Sequence, residues 1–325
     1  KPTTIVKATN YVRQLVNEPA QKVTPAYLVK EAEKLRSKGV TVTVFDKKKM
    51  QELGMGGSLA VGQGSVNEPY CIILEYGPKD QPPLAMVGKG ITFDSGGLAI
   101  KPAKGMEDMK YDMSGAAAIL GIFTALSQFK WNTHVLGVLP VAENMPSGSA
   151  YRLGDIVTFY NKKTAEINHT DAEGRVVLAD ALCYAEKNFH PQRMVDMATL
   201  TGACVVALGS WASGMISSDD AFCSDLQRAG EESGERLWRL PFWDEYRENM
   251  KSEVADVRNS GKGYDAGAIE GAVFLSHFVE KTPWVHLDIA GTAWFSEAKY
   301  YYNFGATGVG VRLLLRYLEN TQKKR

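Results

Sequence analysis

The sequence predicts an α/β fold in which a central, mostly parallel or mixed sheet carries helices on both faces. Three observations support this. Short apolar runs recur along the chain, longer segments with helical periodicity separate them, and most of the runs are apolar without alternation, as strands buried on both faces must be.

Residues 4 to 16 form the first helical segment. The second, 25 to 38, opens at Thr24-Pro25, a capping residue followed by a proline placed where its missing N–H is no loss, and it closes at Gly39. Thr41 to Phe45 then alternates as a strand does. Buried strands are expected at Cys71 to Tyr76, Leu84 to Gly88, Val135 to Val141, Val195 to Leu200 and Val285 to Ile289. Between them, Ser114 to Gln128, Val176 to Lys187, Asp244 to Glu253, Gly267 to Glu280 and Gly305 to Leu318 have helical character. No repeat, low-complexity tract or linker interrupts the pattern. It predicts one domain over residues 21–325, with residues 1–20 as the helix leading into it.

Lys plus Arg and Asp plus Glu stand at 37 each, which removes the basic footprint of a dedicated nucleic-acid binder. Cys71, Cys183, Cys204 and Cys223 lack C-x-x-C spacing and read as small buried hydrophobes, consistent with a reducing, intracellular compartment. The longest uncharged stretch, 197 to 218, contains Gly202, Gly209 and Gly214 among several hydroxyl residues and makes a poor membrane span. The chain starts Lys1-Pro2, without an initiator Met or apolar leader, and reads as a processed product or an excised segment.

In open α/β sheets ligands bind beyond the carboxyl ends of the strands, so the residues that follow the apolar runs are the candidates for chemistry. Three clusters lie there. V-G-K-G-I-T-F-D-S-G-G, residues 87–97, puts Lys89 and Asp94 on a glycine-rich turn that lacks the spacing of a phosphate-binding Walker loop. Asp112 precedes an apolar helix, where a lone carboxylate could be no more than a cap. In H-T-D-A-E-G-R, residues 169–175, an extended backbone would put Asp171, Glu173 and Arg175 on one face; a solvated charged loop is the alternative. Asp94, Asp112, Asp171 and Glu173 gathered in one pocket would repel one another, so such a site requires cations. Oxygen-rich ligation without Cys or His fits Mn²⁺, Mg²⁺ or carboxylate-bound Zn²⁺.

These segments, with E-N-M-P-S-G (143–148), T-D-A-E-G-R (170–175), A-T-L-T-G-A (198–203) and H-L-D-I-A-G (286–291), make the chain similar to the leucyl aminopeptidase family (M17, the cytosol aminopeptidases) over essentially its whole length. The resemblance implies a metalloaminopeptidase that removes Leu-like, apolar residues from the amino ends of peptides. Two divalent ions, Zn²⁺ and/or Mn²⁺, would be bridged by Asp94 and Glu173. Lys89, as a neutral amine, and Asp112 would complete the tighter site, and Asp171 the exchangeable one. The reaction would use a metal-bridging water, with Lys101 and Arg175 as catalytic residues and a bicarbonate ion on Arg175 as proton carrier. Met109, Thr199, Gly202, Ala290 and Ala293 would line the substrate pocket. Ala293 stands where some relatives have Met, which implies a roomier pocket.

The resemblance further implies a homo-hexamer in the cytoplasm acting on peptides with a free amino terminus, with neither membrane nor nucleic acid as partner. In the family a smaller N-terminal domain precedes R-Q-L-V-N-E-P-A, here residues 13–20, so the resemblance implies either that this domain is absent from this chain or that the protein lacks it. His169 departs from the family's Asn and leaves metal preference open. The other histidines, and the run Tyr300, Tyr301 and Tyr302, read as packing or subunit-contact residues. Two other functions compete: a non-catalytic binding or regulatory protein on the same scaffold, and a two-metal phosphohydrolase.

Overall fold

The computed structural model describes residues 1–129, 131–263, 265–300 and 302–323, so Tyr301 lies outside the described residues. Helices α1 (Pro2–Asn17) and α2 (Pro25–Glu33) come first, then strand β1 (Thr41–Phe45) and the short helices α3 (Lys47–Leu53) and α4 (Gly56–Gly62). Strands β2 (Tyr70–Tyr76), β3 (Leu84–Gly88) and β4 (Gly90–Asp94) follow, then the single turn α5 (Ala103–Met106) and helix α6 (Ser114–Leu126). Next are β5 (Val135–Asn144), the pair β6 (Ile156–Thr158) and β7 (Thr164–Glu166), helix α7 (Glu173–Phe189), β8 (Arg193–Ala198), α8 (Gly202–Leu208) and β9 (Ser213–Ile216). The chain ends with α9 (Asp220–Ser233), β10 (Leu237–Arg239), β11 (Val257–Arg258), α10 (Gly267–Ser276), β12 (Trp284–Asp288), β13 (Trp294–Phe295), β14 (Gly305–Ala306) and α11 (Val311–Lys323).

Among the described residues the main sheet has nine strands in the order β1-β2-β5-β3-β8-β12-β9-β10, with β4 paired to the end of β5. Its centre, β5-β3-β8-β12, is parallel, whereas β1/β2, β2/β5 and β12/β9 are antiparallel. The sheet is therefore mixed, one of the two forms expected. Side-chain parity shows why its strands carry no polar alternation. Ile72, Leu74, Met86, Val195 and Leu287 pack into one core with α1, α2, α6, α9 and α11. Their neighbours Cys71, Ile73, Ala85, Val87 and Met194 pack into a second core with α4, α7 and α10. Both faces are covered, and all four cysteines are free and buried, as their spacing suggested.

Small residues set the distance between layers. A Cβ on Gly121 of α6 would lie 2.4 Å from Val12 Cγ2 of α1, and one on Gly115 would lie 2.1 Å from the Met197 carbonyl of β8. The first methyl would push α1 away from α6, and the second would push α6 off the sheet.

Several segments differ from expectation. The helix expected over 25–38 stops at Glu33, and a 3₁₀ turn at Arg36–Lys38 leads into Gly39, whose φ of 81° only glycine adopts readily. The helix expected from Gly305 begins at Val311, because Gly305, Gly308 and Gly310 all have positive φ (103°, 72° and 93°), and Gly305–Ala306 pairs as a strand instead. Asp244–Met250 is a 3₁₀ segment rather than an α-helix. The unanticipated α9 is capped by Asp219, whose carboxylate accepts the N–H of Phe222 at 2.7 Å. It buries Phe222, Cys223, Leu226, Ala229 and Gly230 along one stripe.

Candidate metal centre

The carboxyl ends of the central strands open onto one cavity of about 380 Å³. Lys89 sits between β3 and β4, Asp94 ends β4, and Asp112 lies in the 3₁₀ turn Met109–Met113 before α6. The segment read as one glycine-rich turn is thus two short strands joined at Lys89. Nor is the third cluster extended: α7 begins at Glu173, so Glu173 and Arg175 occupy its first helical turn. Parity along a strand does not apply there. Both still reach the cavity because it lies against that first turn, where a helix also favours negative charge.

One ligand oxygen from each of Asp94, Asp112 and Glu173 lies within 4.8 Å of the others, and all three residues are buried. Lys89 Nζ donates to Asp112 Oδ1 at 2.8 Å and to the Thr199 carbonyl at 2.9 Å, and pairs with Glu173 Oε1 at 2.7 Å. Asp171 stays outside the tight trio with its side chain 27% exposed, and it shares the Lys101 ammonium with Asp94, whose Oδ2 is 2.8 Å from Nζ. The ammonium between these two carboxylates shows that their oxygens face a common, cation-sized space.

Burial pushes Asp171 up to about 7, helped by the charges of Asp94 and Glu173 and opposed by Lys101. Asp112 and Glu173 are also raised, burial again leading. For Lys89 and Lys101 burial acts downward, but the surrounding carboxylates outweigh it and hold both above the ordinary lysine value. A neutral Lys89 requires a divalent ion among the same oxygens, which would oppose the carboxylates' pull on the ammonium.

The residues fit such an ion. Asp112 Oδ2 and Glu173 Oε2 are buried and accept no hydrogen bond. Orphaned carboxylate oxygens are costly inside a protein, and a hard or borderline cation is the natural partner for them. Arg175 is buried too; its Nη1 donates to the Asn259 carbonyl at 3.0 Å, while Nε has no partner. Burial lowers its pKa, and a buried guanidinium with a free N–H suits a planar anion.

Met109, Thr199, Gly202 and Ala290 line the cavity, as do Leu200, Thr201 and Val205, which had not been singled out. Ala293 does not line it. At 1% exposure it belongs to the core beside α11, and its carbonyl accepts the N–H of Thr307 at 3.0 Å. His169 is exposed, and its Nδ1 accepts the N–H of Asp171 at 3.3 Å. His286 is a fully buried core residue paired with Asp196 at 2.7 Å. Tyr300 and Tyr302 border a separate cavity of about 390 Å³, where Glu235 is the acidic lining residue among those described, so no carboxylate cluster forms there.

Three supporting residues also went unassigned. Asn144 ends β5 and donates to Asp94 Oδ1 at 2.8 Å and to the Thr170 carbonyl at 3.1 Å. Thr170 Oγ1 donates to the Gly96 carbonyl at 2.7 Å and accepts the N–H of Ala99 at 2.8 Å. Asp288 accepts from Leu200 N, Ala290 N and Thr201 Oγ1 and so fastens two cavity walls together. The signal for all three was their place inside the motifs at residues 143–148, 170–175 and 286–291.

Fold and cavity together define an α/β protein with a buried, carboxylate-rich cation centre. Residues 10–315 match the cytosol aminopeptidase family, catalytic domain, and the chain belongs to that family. It is 52% identical over 320 residues to the probable cytosol aminopeptidase of Roseiflexus castenholzii, an alignment covering 97% of this chain and 65% of the relative. With the probable cytosol aminopeptidase of Geobacter sulfurreducens it shares 51% identity over 321 residues, or 98% of this chain and 64% of the relative. The chain thus spans just under two thirds of the length of these relatives. Among solved structures, the bottromycin maturation enzyme BotP in complex with Mn superposes with a TM-score of 0.94 at 41% identity, over 98% of this chain and 70% of BotP. Among the described residues no helix is long and apolar enough to cross a membrane.

Proposed function

We propose that this chain is the catalytic part of a two-metal aminopeptidase that hydrolyses the amino-terminal, Leu-like residue of peptides. Residues 21–325 form its catalytic domain, and residues 1–20 lead into it. The observation that carries this reading is the convergence of Asp94, Asp112 and Glu173 with Lys89 and Lys101 in one cavity. Family membership and the manganese complex of BotP support it.

Lys89, Asp94, Asp112, Asp171 and Glu173 would hold two divalent ions, Zn²⁺ and/or Mn²⁺. Such ions would supply Lewis acidity and lower the pKa of the attacking water. Lys101 brings fixed positive charge to the place where an oxyanion develops, and it is worth most where water is scarce. Arg175, whose Nε has no partner, would hold a planar oxyanion such as bicarbonate, which would supply a proton-carrying base there. The substrate's free amine belongs on the more exposed Asp171 side, and its side chain against Met109, Leu200, Gly202, Val205 and Ala290. That wall is apolar or small, which suits Leu or Met. A cytoplasmic homo-hexamer belongs to the same proposal, and the exposed rings of Trp211, Trp238 and Trp243 give surface that subunit contacts would cover.

The test compares leucyl anilide, its N-acetylated form and an aryl phosphate. Hydrolysis of the first alone, abolished by chelation and restored by Mn²⁺ or Zn²⁺, is the expected result. Cleavage of the phosphate would make the protein a phosphohydrolase, and no cleavage at all would make it a binding protein.

The raised carboxyl groups predict a pH dependence. Asp171, Asp112 and Glu173 keep their protons in the folded, metal-free protein at pH values where ordinary carboxyl groups have lost them. A divalent ion must displace those protons. The rise in Tm on adding Mn²⁺ to chelated protein is therefore expected to be large at about pH 8 and to shrink toward about pH 5. Calorimetry across that range checks it, and an increment independent of pH would contradict it.

A further inference from the structure

The loop that brings Asp171 to the cavity is held from outside by a pair of asparagines. Asn259, just past β11, is fully buried. Its Oδ1 accepts the backbone N–H groups of Asn168 at 2.9 Å and His169 at 3.2 Å, and its Nδ2 donates to the His169 carbonyl at 2.8 Å. Asn168 reciprocates: its Oδ1 accepts the Ser260 N–H at 3.0 Å, and its Nδ2 donates to the Ser260 carbonyl at 3.1 Å. The backbone pairing of β11 with β7 ends at Arg258 and Glu166. Beyond that point side-chain amides continue the ladder.

The main chain of Asn259 is engaged as well. Its N–H donates to the Glu166 carbonyl at 3.0 Å, and its carbonyl accepts Arg175 Nη1 at 3.0 Å. One residue therefore grips both the turn leading to Asp171 and the guanidinium on the first turn of α7. Only an amide suits this place. A carboxylate lacks the donor that His169 needs, and an aliphatic side chain strands two N–H groups and a carbonyl.

We propose that Asn259 is a positioning residue that fixes Arg175 and the Asn168-to-Asp171 turn relative to each other, with Asn168 as the outer half of the same clasp. The kinetic consequence rests on the aminopeptidase reading; the structural one does not. A displacement of about 1 Å in a reacting group costs ~10²-fold in rate, so Asn259→Ala is expected to lower kcat by about that factor with KM changed less than about threefold. Asn168→Ala, which removes the outer bonds to Ser260 but leaves the Asn259 side chain on the turn, is expected to cost about tenfold.

A double-mutant cycle separates positioning from general support. In an Asp171→Ala background, Asn259→Ala is expected to reduce kcat by less than about threefold, because the Asn259 side chain holds the turn that carries Asp171 and that group is already gone. Equal losses in both backgrounds would overturn the proposal. Hydrogen exchange read by mass spectrometry supplies a measurement without turnover: peptides covering 166–175 are expected to exchange faster in Asn259→Ala while those from β3 and β8 do not. Unchanged exchange in 166–175 would overturn it too. Should Asn259→Ala fail to fold, Asn168→Ala carries the exchange measurement with the same two outcomes. A parent protein without peptidase activity sinks the aminopeptidase reading and leaves the clasp to be decided by exchange.

Discussion

Glu173→Gln is expected to lower kcat on leucyl anilide by ~10³-fold or more, equivalent to about 4 kcal/mol of lost transition-state stabilisation, while the folded state survives. Glu173 is 1% exposed; its Oε1 pairs with Lys89 and its Oε2 has no hydrogen-bond partner. Gln keeps the shape and one carbonyl oxygen for Lys89 but removes the charge that an ion between Asp94 and Asp112 would need. The fold should tolerate the change. Burial and the Asp94 charge already push the Glu173 carboxyl toward its neutral form, so a neutral isostere relieves repulsion in the metal-free protein. Steady-state kinetics at saturating Mn²⁺, with Tm measured after chelation, provide the check. A kcat within about tenfold of the parent would remove Glu173 from the reaction.

Gly174→Ala should be nearly as damaging, through a single methyl group. A Cβ at Gly174 would lie 2.6 Å from Lys89 Cε and 2.7 Å from Nζ, closer than any real contact. In an open place a lysine tip would swing away cheaply. Here it is buried and held by Asp112, Glu173 and the Thr199 carbonyl, so moving it dismantles the centre. The expected result is a fall in kcat/KM of ~10²-fold, about 2.7 kcal/mol, together with weaker Mn²⁺ binding by titration calorimetry. Unaltered Mn²⁺ affinity would exclude Lys89 as a ligand.

Much of the fold can be read along the chain. Leu84 to Gly88 and Val285 to Ile289 are apolar without alternation because each face of the sheet carries its own core, and that pattern locates buried strands directly. Helix limits are harder to read. The stretch from Gly305 has helical residues, but three glycines with positive φ keep the chain out of a helix until Val311. The stripe of α9 was present in the sequence and went unrecognised between charged neighbours.

Lys89, Asp94, Asp112, Asp171, Glu173 and Arg175 are legible as candidates because charged groups at element boundaries and beside glycines are unusual residues in unusual places, whereas Lys101 follows only from the family resemblance; the structure brings all of them to one cavity. Asn144, Asp288 and Asn259 were missed as supports because an amide or carboxylate that bonds backbone groups looks like any other until its partners are known.

By composition and pattern alone, the chain determined its layered α/β architecture, its buried cysteines and the chemical types available for a reaction. Tertiary structure alone decided that Glu173 starts a helix rather than sitting in a strand, that Ala293 is core, and which oxygens share one space. The physical reason is range. Periodicity records which face of an element avoids water, a local property, whereas a distance between Asp94 and Glu173 depends on how two cores and the sheet between them pack.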